Sequence, residues 1–170
     1  SGLDIVGIEC HTGDIKSIQH VVDCTIEKFG KIDVLVNNAA ANPYYGPILN
    51  SEDSHWEKIW EVNVKGYFNF IKACSSSMEQ NKYGKIINVS SVAAKTPLDG
   101  LGVYNISKAA VVMWTKVLAK EMAASNIQVN TLAPGIIKTD FSKALWENKS
   151  VYNEIIKSIP QGRMGEPEDI

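Results

Sequence analysis

Tyr104 and Lys108 stand four residues apart in the stretch Gly84 to Leu118, GKIINVSSVAAKTPLDGLGVYNISKAAVVMWTKVL. Residues four apart on a helix share a face, which makes the phenol and the ammonium neighbours. A free tyrosine has a pKa of about 10 and is a poor acid–base group at neutral pH. A cation beside it favours phenolate and moves it toward the working range. Upstream, the apolar run Ile86 to Val89 ends in two hydroxyls, Ser90 and Ser91. A serine at a strand tip can hold a carbonyl or hydroxyl oxygen next to that phenol. Adjacent strand residues face opposite ways, so only one of the two can point at such a site. By itself a tyrosine–lysine pair at this spacing is as often a solvated pair on a plain helix.

The elements that must position this set follow from periodicity. Ile5 to Cys10 is a short apolar run with Gly7 inside it, which predicts a buried strand. Asp14 is a good N-cap, and Ile15, Ile18, Val21, Val22, Ile26 and Phe29 follow at helical spacing up to Gly30. Val34 to Val36 predicts the next buried strand. Strand, one-sided helix and strand form the unit of a parallel sheet. Ser51 with Glu52 and Asp53 opens a second helix, with Trp56, Ile59, Trp60, Val64, Phe68 and Ile71 as its core stripe. Asn63 falls in the middle of this stretch, where asparagine is intrinsically poor and, if buried, needs a partner. The helix after Tyr104 is apolar on more than one face through Val111, Val112, Met113, Trp114, Val117 and Leu118. Val129 to Leu132 predicts a last strand, followed by the turn Pro134-Gly135.

Composition bounds the rest. One hundred and seventy residues suffice for a single domain with a real core. A net charge of −2 gives no reason to expect nucleic acid or an anionic membrane as partner. Cys10, Cys24 and Cys74 are odd in number and far apart, which speaks against a disulfide framework or a zinc site and for a reducing compartment. No metal site is expected. No apolar run approaches the ~18 residues of a membrane span. His20 and His55 fall on predicted helices, are expected to be exposed, and receive no role.

Together, Ser91, the tyrosine thirteen residues later, Lys108 and the upstream Asn63 resemble the short-chain dehydrogenase/reductase family. The resemblance covers essentially the whole chain, residues 1–170, as one partial domain. It implies an α/β fold, a doubly wound parallel (Rossmann-like) sheet incomplete at both ends. It selects Ser91 over Ser90 and makes Asn63, Ser91, Tyr104 and Lys108 the catalytic set. Asn63 would mark a local kink whose main chain holds a water linking Lys108 to solvent. Asn37-Asn38-Ala39-Ala40 stands where the family reads Asn-Asn-Ala-Gly and lines the adenosine side of a nicotinamide cofactor, through Asn37 and Ala39. Asn130 to Gly135 matches Asn-x-x-x-Pro-Gly, where Pro134, Gly135, the Ile137 main chain and the Thr139 hydroxyl approach the nicotinamide, as Tyr104 and Lys108 do from the other side.

Cys10-His11-Thr12-Gly13 and the segments around Asn38, Tyr104 and Leu132 are most similar to the peroxisomal NADPH-dependent carbonyl reductase/retinol dehydrogenase branch. That likeness implies His11 and Thr12 beside the adenine, NADP(H) ahead of NAD(H), and a cytoplasmic or peroxisomal setting. It also implies a small apolar carbonyl or alcohol substrate beneath a lid containing Phe141, Leu145 and Trp146, and a homodimer or homotetramer. Tyr44 and Tyr45 border either the substrate pocket or an ordinary packed surface. The Gly-rich phosphate loop of the family is not found within the chain, and the resemblance places it before residue 1. The competing reading is a truncated, catalytically incompetent scaffold that binds or regulates a partner through exposed sheet edges. Epimerases and dehydratases share Tyr-x-x-x-Lys but add a larger substrate domain. Enoyl reductase variants space the two residues more widely.

Overall fold

A computed structural model describes residues 4–170. It has two compact units, Ser1–Leu132 and Ala133–Ile170.

In the first unit, helix α1 (Ile15–Phe29) starts where Asp14 accepts from the Lys16 N–H. It stops at Gly30, whose φ of 80° is left-handed and favours glycine. Strand β1 (Val34–Asn37) follows, then helix α2 (Asp53–Trp60), a π-turn (Glu61–Gly66) and helix α3 (Tyr67–Gln80). Strand β2 (Gly84–Val89), helix α4 (Gly102–Glu121) and strand β3 (Ile127–Leu132) complete the unit. The three strands are parallel, in the order β1-β2-β3.

Register explains the burial. Leu35 pairs with Ile86, and Ile86 with Val129, so one sheet face presents a continuous apolar row. Val22 of α1, Ile71, Cys74 and Met78 of α3, and Met122 just past α4 pack on that row. Each fully buried aliphatic side chain there contributes about 1.5–3 kcal/mol. One place further along, Asn37 donates to Asn88 at 2.9 Å, and Asn88 donates to Thr115 of α4 at 3.0 Å. All three are buried, and the ladder ties β1, β2 and α4 together with every amide partnered.

Four sequence expectations need correction. Ile5 to Cys10 forms no strand. Ile5 is 79% exposed, and the segment joins no ladder among the described residues. Val34 and Val36 are not buried: they point to the sheet face that no described helix covers, while Leu35 and Asn37 point to the covered one. The core stripe of the second helix is also different. Trp60 and Phe68 are exposed, and the buried series is Ile59, Asn63, Tyr67, Ile71, Cys74 and Met78. Three successive steps of four overrun an α-helix of about 3.6 residues per turn, and the wider π-turn absorbs the excess. Asn63 lies within this π-turn. The cap of α2 is Glu52 rather than Ser51, with His55 closing a capping box and stacking on Tyr44 at 4.7 Å.

The second face of α4 stays open, with Ile106, Met113 and Val117 all exposed. Among the described residues no helix is long and apolar enough to cross a membrane, and no cluster of His, Cys, Asp and Glu could hold a metal ion.

In the second unit, helices α5 (Lys143–Trp146) and α6 (Lys149–Ser158) follow a short 3-10 turn, Asp140–Ser142. Ile137 bridges to Gly165, Lys138 N donates to the Gly165 carbonyl at 2.9 Å, and Arg163 pairs with Asp169 at 2.7 Å. Phe141 is 58% exposed, and Trp146 donates to the Thr139 carbonyl.

Candidate active site

The end of β2 and the first turns of α4 bring three of the four sequence candidates together. The strand stops at Val89, and Ser90 and Ser91 then diverge. Ser90 Oγ is buried and donates to the Lys108 carbonyl at 2.8 Å, so it serves the helix backbone. Ser91 faces the other way, and its hydroxyl is hydrogen-bonded to the Tyr104 phenol. The same Ser91 oxygen accepts from the Ala93 N–H at 3.1 Å, which holds its rotamer. The loop between them is pinned where Gly46 N donates to the Gly100 carbonyl at 2.9 Å.

Tyr104 is 9% and Lys108 1% exposed. The Lys108 ammonium donates to the Val89 carbonyl at 2.8 Å and approaches the Tyr67 hydroxyl at 3.4 Å. It lies 5.7 Å from the Tyr104 ring centroid and 5.3 Å from that of Tyr67. The Tyr104 phenol lies above its ordinary range, not below it as the spacing suggested: burial raises it, and the Ser91 hydrogen bond pulls it down. The amine directs its hydrogen bonds at Val89 and Tyr67 instead.

Burial pushes Lys108 down to about 8 from 10.5, because a charged amine is poorly solvated there. Between those values the unfolded chain binds more protons than the folded one, so stability rises with pH across that window. Burial also lifts the Cys74 thiol from 9.0 to about 11, which acts in the opposite sense above pH 9. The lysine's effect is therefore cleanest from about pH 8 to pH 9. Urea midpoints of the full-length protein should climb over that interval, and Lys108→Met should flatten the climb. A flat curve for the unmodified protein would show a solvated amine.

Asn63 is fully buried, and its side chain is committed to structure. It accepts from Ala41 N at 2.8 Å, and donates to the Ala41 carbonyl at 3.1 Å and to Ser107 Oγ at 3.1 Å. Ser107 in turn donates to the Tyr104 carbonyl, so Asn63 braces the tyrosine's helix.

Thr12, Asn37 and Ala39 line one groove of about 220 Å³, with Gly66, Tyr67 and Phe70 on its other side. A Cβ on Gly66 would lie 3.1 Å from the Thr12 carbonyl, so glycine permits this close approach. The Asn37 amide is turned inward to Asn88, which leaves its main chain to the groove. His11 is exposed and its ring accepts from Gly13 N at 3.2 Å. Tyr44 is a packing residue, bonded to the Pro47 carbonyl, whereas Tyr45 is 71% exposed. Pro134, Gly135, Ile137 and Thr139 belong to the second unit, where the Thr139 hydroxyl caps the turn at Ser142.

Sequence reasoning missed Tyr67 and Asn88. Both carried a signal: Tyr67 lies one turn beyond Asn63 on the same face, and Asn88 is a polar residue inside an apolar strand run.

A family model described as "Enoyl-(Acyl carrier protein) reductase" matches residues 2–170. The chain is 45% identical over 168 residues to Dehydrogenase/reductase SDR family member 4 of Oryctolagus cuniculus, and 41% identical to that of Homo sapiens. These alignments cover 99% of the chain and 65% and 60% of the two relatives, so the chain spans less than two thirds of their length. Among solved structures, a gluconate 5-dehydrogenase from Burkholderia cenocepacia in complex with NADP and tartrate superposes with a TM-score of 0.86 at 32% identity. That likeness covers 91% of this chain and 60% of the other. An NAD+-bound xylitol dehydrogenase superposes with a TM-score of 0.84 at 28% identity, covering 92% and 66%. The parallel three-stranded α/β sheet, the serine–tyrosine–lysine cluster at its carboxyl end and these matches lead to one conclusion: the chain belongs to the short-chain dehydrogenase/reductase family.

Proposed function

We propose that this chain carries the catalytic centre of an NAD(P)(H)-dependent oxidoreductase that interconverts a carbonyl and a primary or secondary alcohol. The supporting observation is the Ser91–Tyr104 hydrogen bond beside a buried Lys108 amine. A bound nicotinamide would supply or accept the hydride. Thr12, Asn37 and Ala39 would hold its adenosine half with help from His11. Pro134, Gly135, Ile137 and Thr139 would hold its nicotinamide half. The fit is favourable: the groove places small Ala39 and Gly66 beside the apolar side chains of Leu35, Val36 and Phe70, a surface for a flat ring, and the Lys108 ammonium has three N–H donors for two protein acceptors.

Within this reading Ser91 orients the substrate oxygen, and Tyr104 gives up its phenolic proton to that oxygen as it gains charge. Burial keeps the phenol protonated in the resting site, which is the state from which reduction starts. Lys108 bonds the cofactor ribose and steadies the phenolate left behind. Asn63 braces the helix and, through its main chain, the water path. NADP(H) is the preferred cofactor, consistent with the NADP-bound relative. A small apolar substrate, a homodimer or homotetramer packed through Ile106, Met113 and Val117, and a cytoplasmic or peroxisomal setting complete the proposal. The four-residue spacing of Tyr104 and Lys108 favours carbonyl over enoyl reduction.

The test uses the full-length protein. Fluorescence titration with NADPH and NADH should show binding, tighter for NADPH. Addition of apolar ketones or aldehydes should then consume the reduced nicotinamide. Absence of binding by either cofactor would replace this reading with that of a scaffold acting on a partner.

A further inference from the structure

Tyr67 lies outside the proton-transfer set, yet its hydroxyl meets the Lys108 amine at 3.4 Å. The same hydroxyl donates to the Val89 carbonyl at 3.2 Å, and that oxygen also accepts from Lys108 at 2.8 Å. Three polar atoms close a triangle at the end of β2. With its one proton directed at Val89, the phenol turns lone pairs toward the ammonium. Tyr67 is 2% exposed, so bulk water does not compete for either group. A buried ammonium needs acceptors, and this hydroxyl supplies one beside the Val89 carbonyl.

The fold puts Tyr67 there for a reason. It is the first residue of α3, and the π-turn before it rotates residue 67 inward while Phe68 turns out. Its ring also lines the groove shared by Thr12, Asn37 and Ala39. Tyr67 therefore touches the groove and the amine at once.

We infer that Tyr67 is a positioning residue, whose hydroxyl anchors the Lys108 ammonium at the Val89 carbonyl and sets its distance from Tyr104. The inference rests on the proposed roles of Tyr104 and Lys108 and adds to them a group that holds the amine ready before cofactor arrives. The titratable groups facing Lys108 are Tyr67 from α3 and Tyr104 from its own helix. Charged neighbours on the packed elements are directed elsewhere: Lys58 pairs with Glu61 at 3.1 Å, and Glu57 and Lys65 are exposed. Cys74, further along α3, is kept neutral by burial.

The experiment is an NMR titration of isotope-labelled lysine amines in the cofactor-free full-length protein, with Lys108→Arg identifying the Lys108 signal. Tyr67→Phe keeps the ring and removes the acceptor, so the Lys108 midpoint should fall by roughly half a pH unit or more. The alkaline limb of the rate profile should move in the same direction, a shift that a purely structural role would not produce. Tyr67→Leu, also without a hydroxyl, should give the same downward shift and serves if the Phe variant folds poorly. An unchanged Lys108 midpoint in both variants would overturn the inference. The titration needs no turnover. If Tyr104→Phe stayed active, the proton-transfer reading would fall while the midpoint still judged Tyr67.

Discussion

Tyr104→Phe in the full-length enzyme should lower turnover by about 10²–10⁴-fold, the range set by losing a positioned general acid. The substitution removes one oxygen from a ring that is nearly buried, so packing is preserved. Ser91 keeps its bond from Ala93 N and can still bind the substrate oxygen. Lys108 keeps Val89 and Tyr67 as acceptors. Cofactor affinity should therefore change little while the chemical step collapses. Fluorescence titration beside single-turnover kinetics separates the two. Turnover close to that of the parent would remove Tyr104 from the mechanism and leave the cluster as a buried polar network with another purpose.

Asn63→Leu should destabilise the first unit by about 3 kcal/mol, since partly buried main-chain groups and a buried hydroxyl lose their partners together. The amide joins both polar atoms of Ala41, on the loop after β1, to Ser107 in the middle of α4. Leucine keeps the same branched heavy-atom skeleton, though bulkier, and offers no donor or acceptor. Water can reach Ala41 in part, but Ser107 is fully enclosed. Thermal unfolding should show the loss directly. A variant as stable as the parent would mean that the loop and the helix hold their places without this bridge. Because Ser107 bonds the Tyr104 carbonyl, the same substitution should loosen the tyrosine and lower activity beyond what stability explains.

Much of this molecule is legible before any coordinates. The caps of α1, Asp14 and Gly30, are local chemistry, and the helix runs between them as its apolar spacing requires. The strand endings at Val89 and Leu132 likewise follow from apolar runs stopped by hydroxyls and a Pro-Gly turn. Strand alternation allows only one of Ser90 and Ser91 to face the site, the family resemblance chose Ser91, and the two side chains diverge accordingly.

Other features depend on contacts across long sequence separations. The π-turn is one: periodicity assumes a constant rise and rotation, and a single widened turn exchanges Phe68 for Tyr67 at the core. The exposure of Val34 and Val36 is another, because an apolar run reads the same whether one sheet face is covered or both. The protonation balance of the site is the third. The four-residue spacing made Lys108 and Tyr104 neighbours, but direction is not contained in spacing. Val89, nineteen positions upstream of the lysine, and Tyr67, forty-one upstream, took the ammonium's hydrogen bonds, and burial raised the phenol. Sequence alone determined which groups could meet and on which elements. Only packing in three dimensions decided which partner each group chose, because solvation and hydrogen-bond geometry belong to the assembled interior.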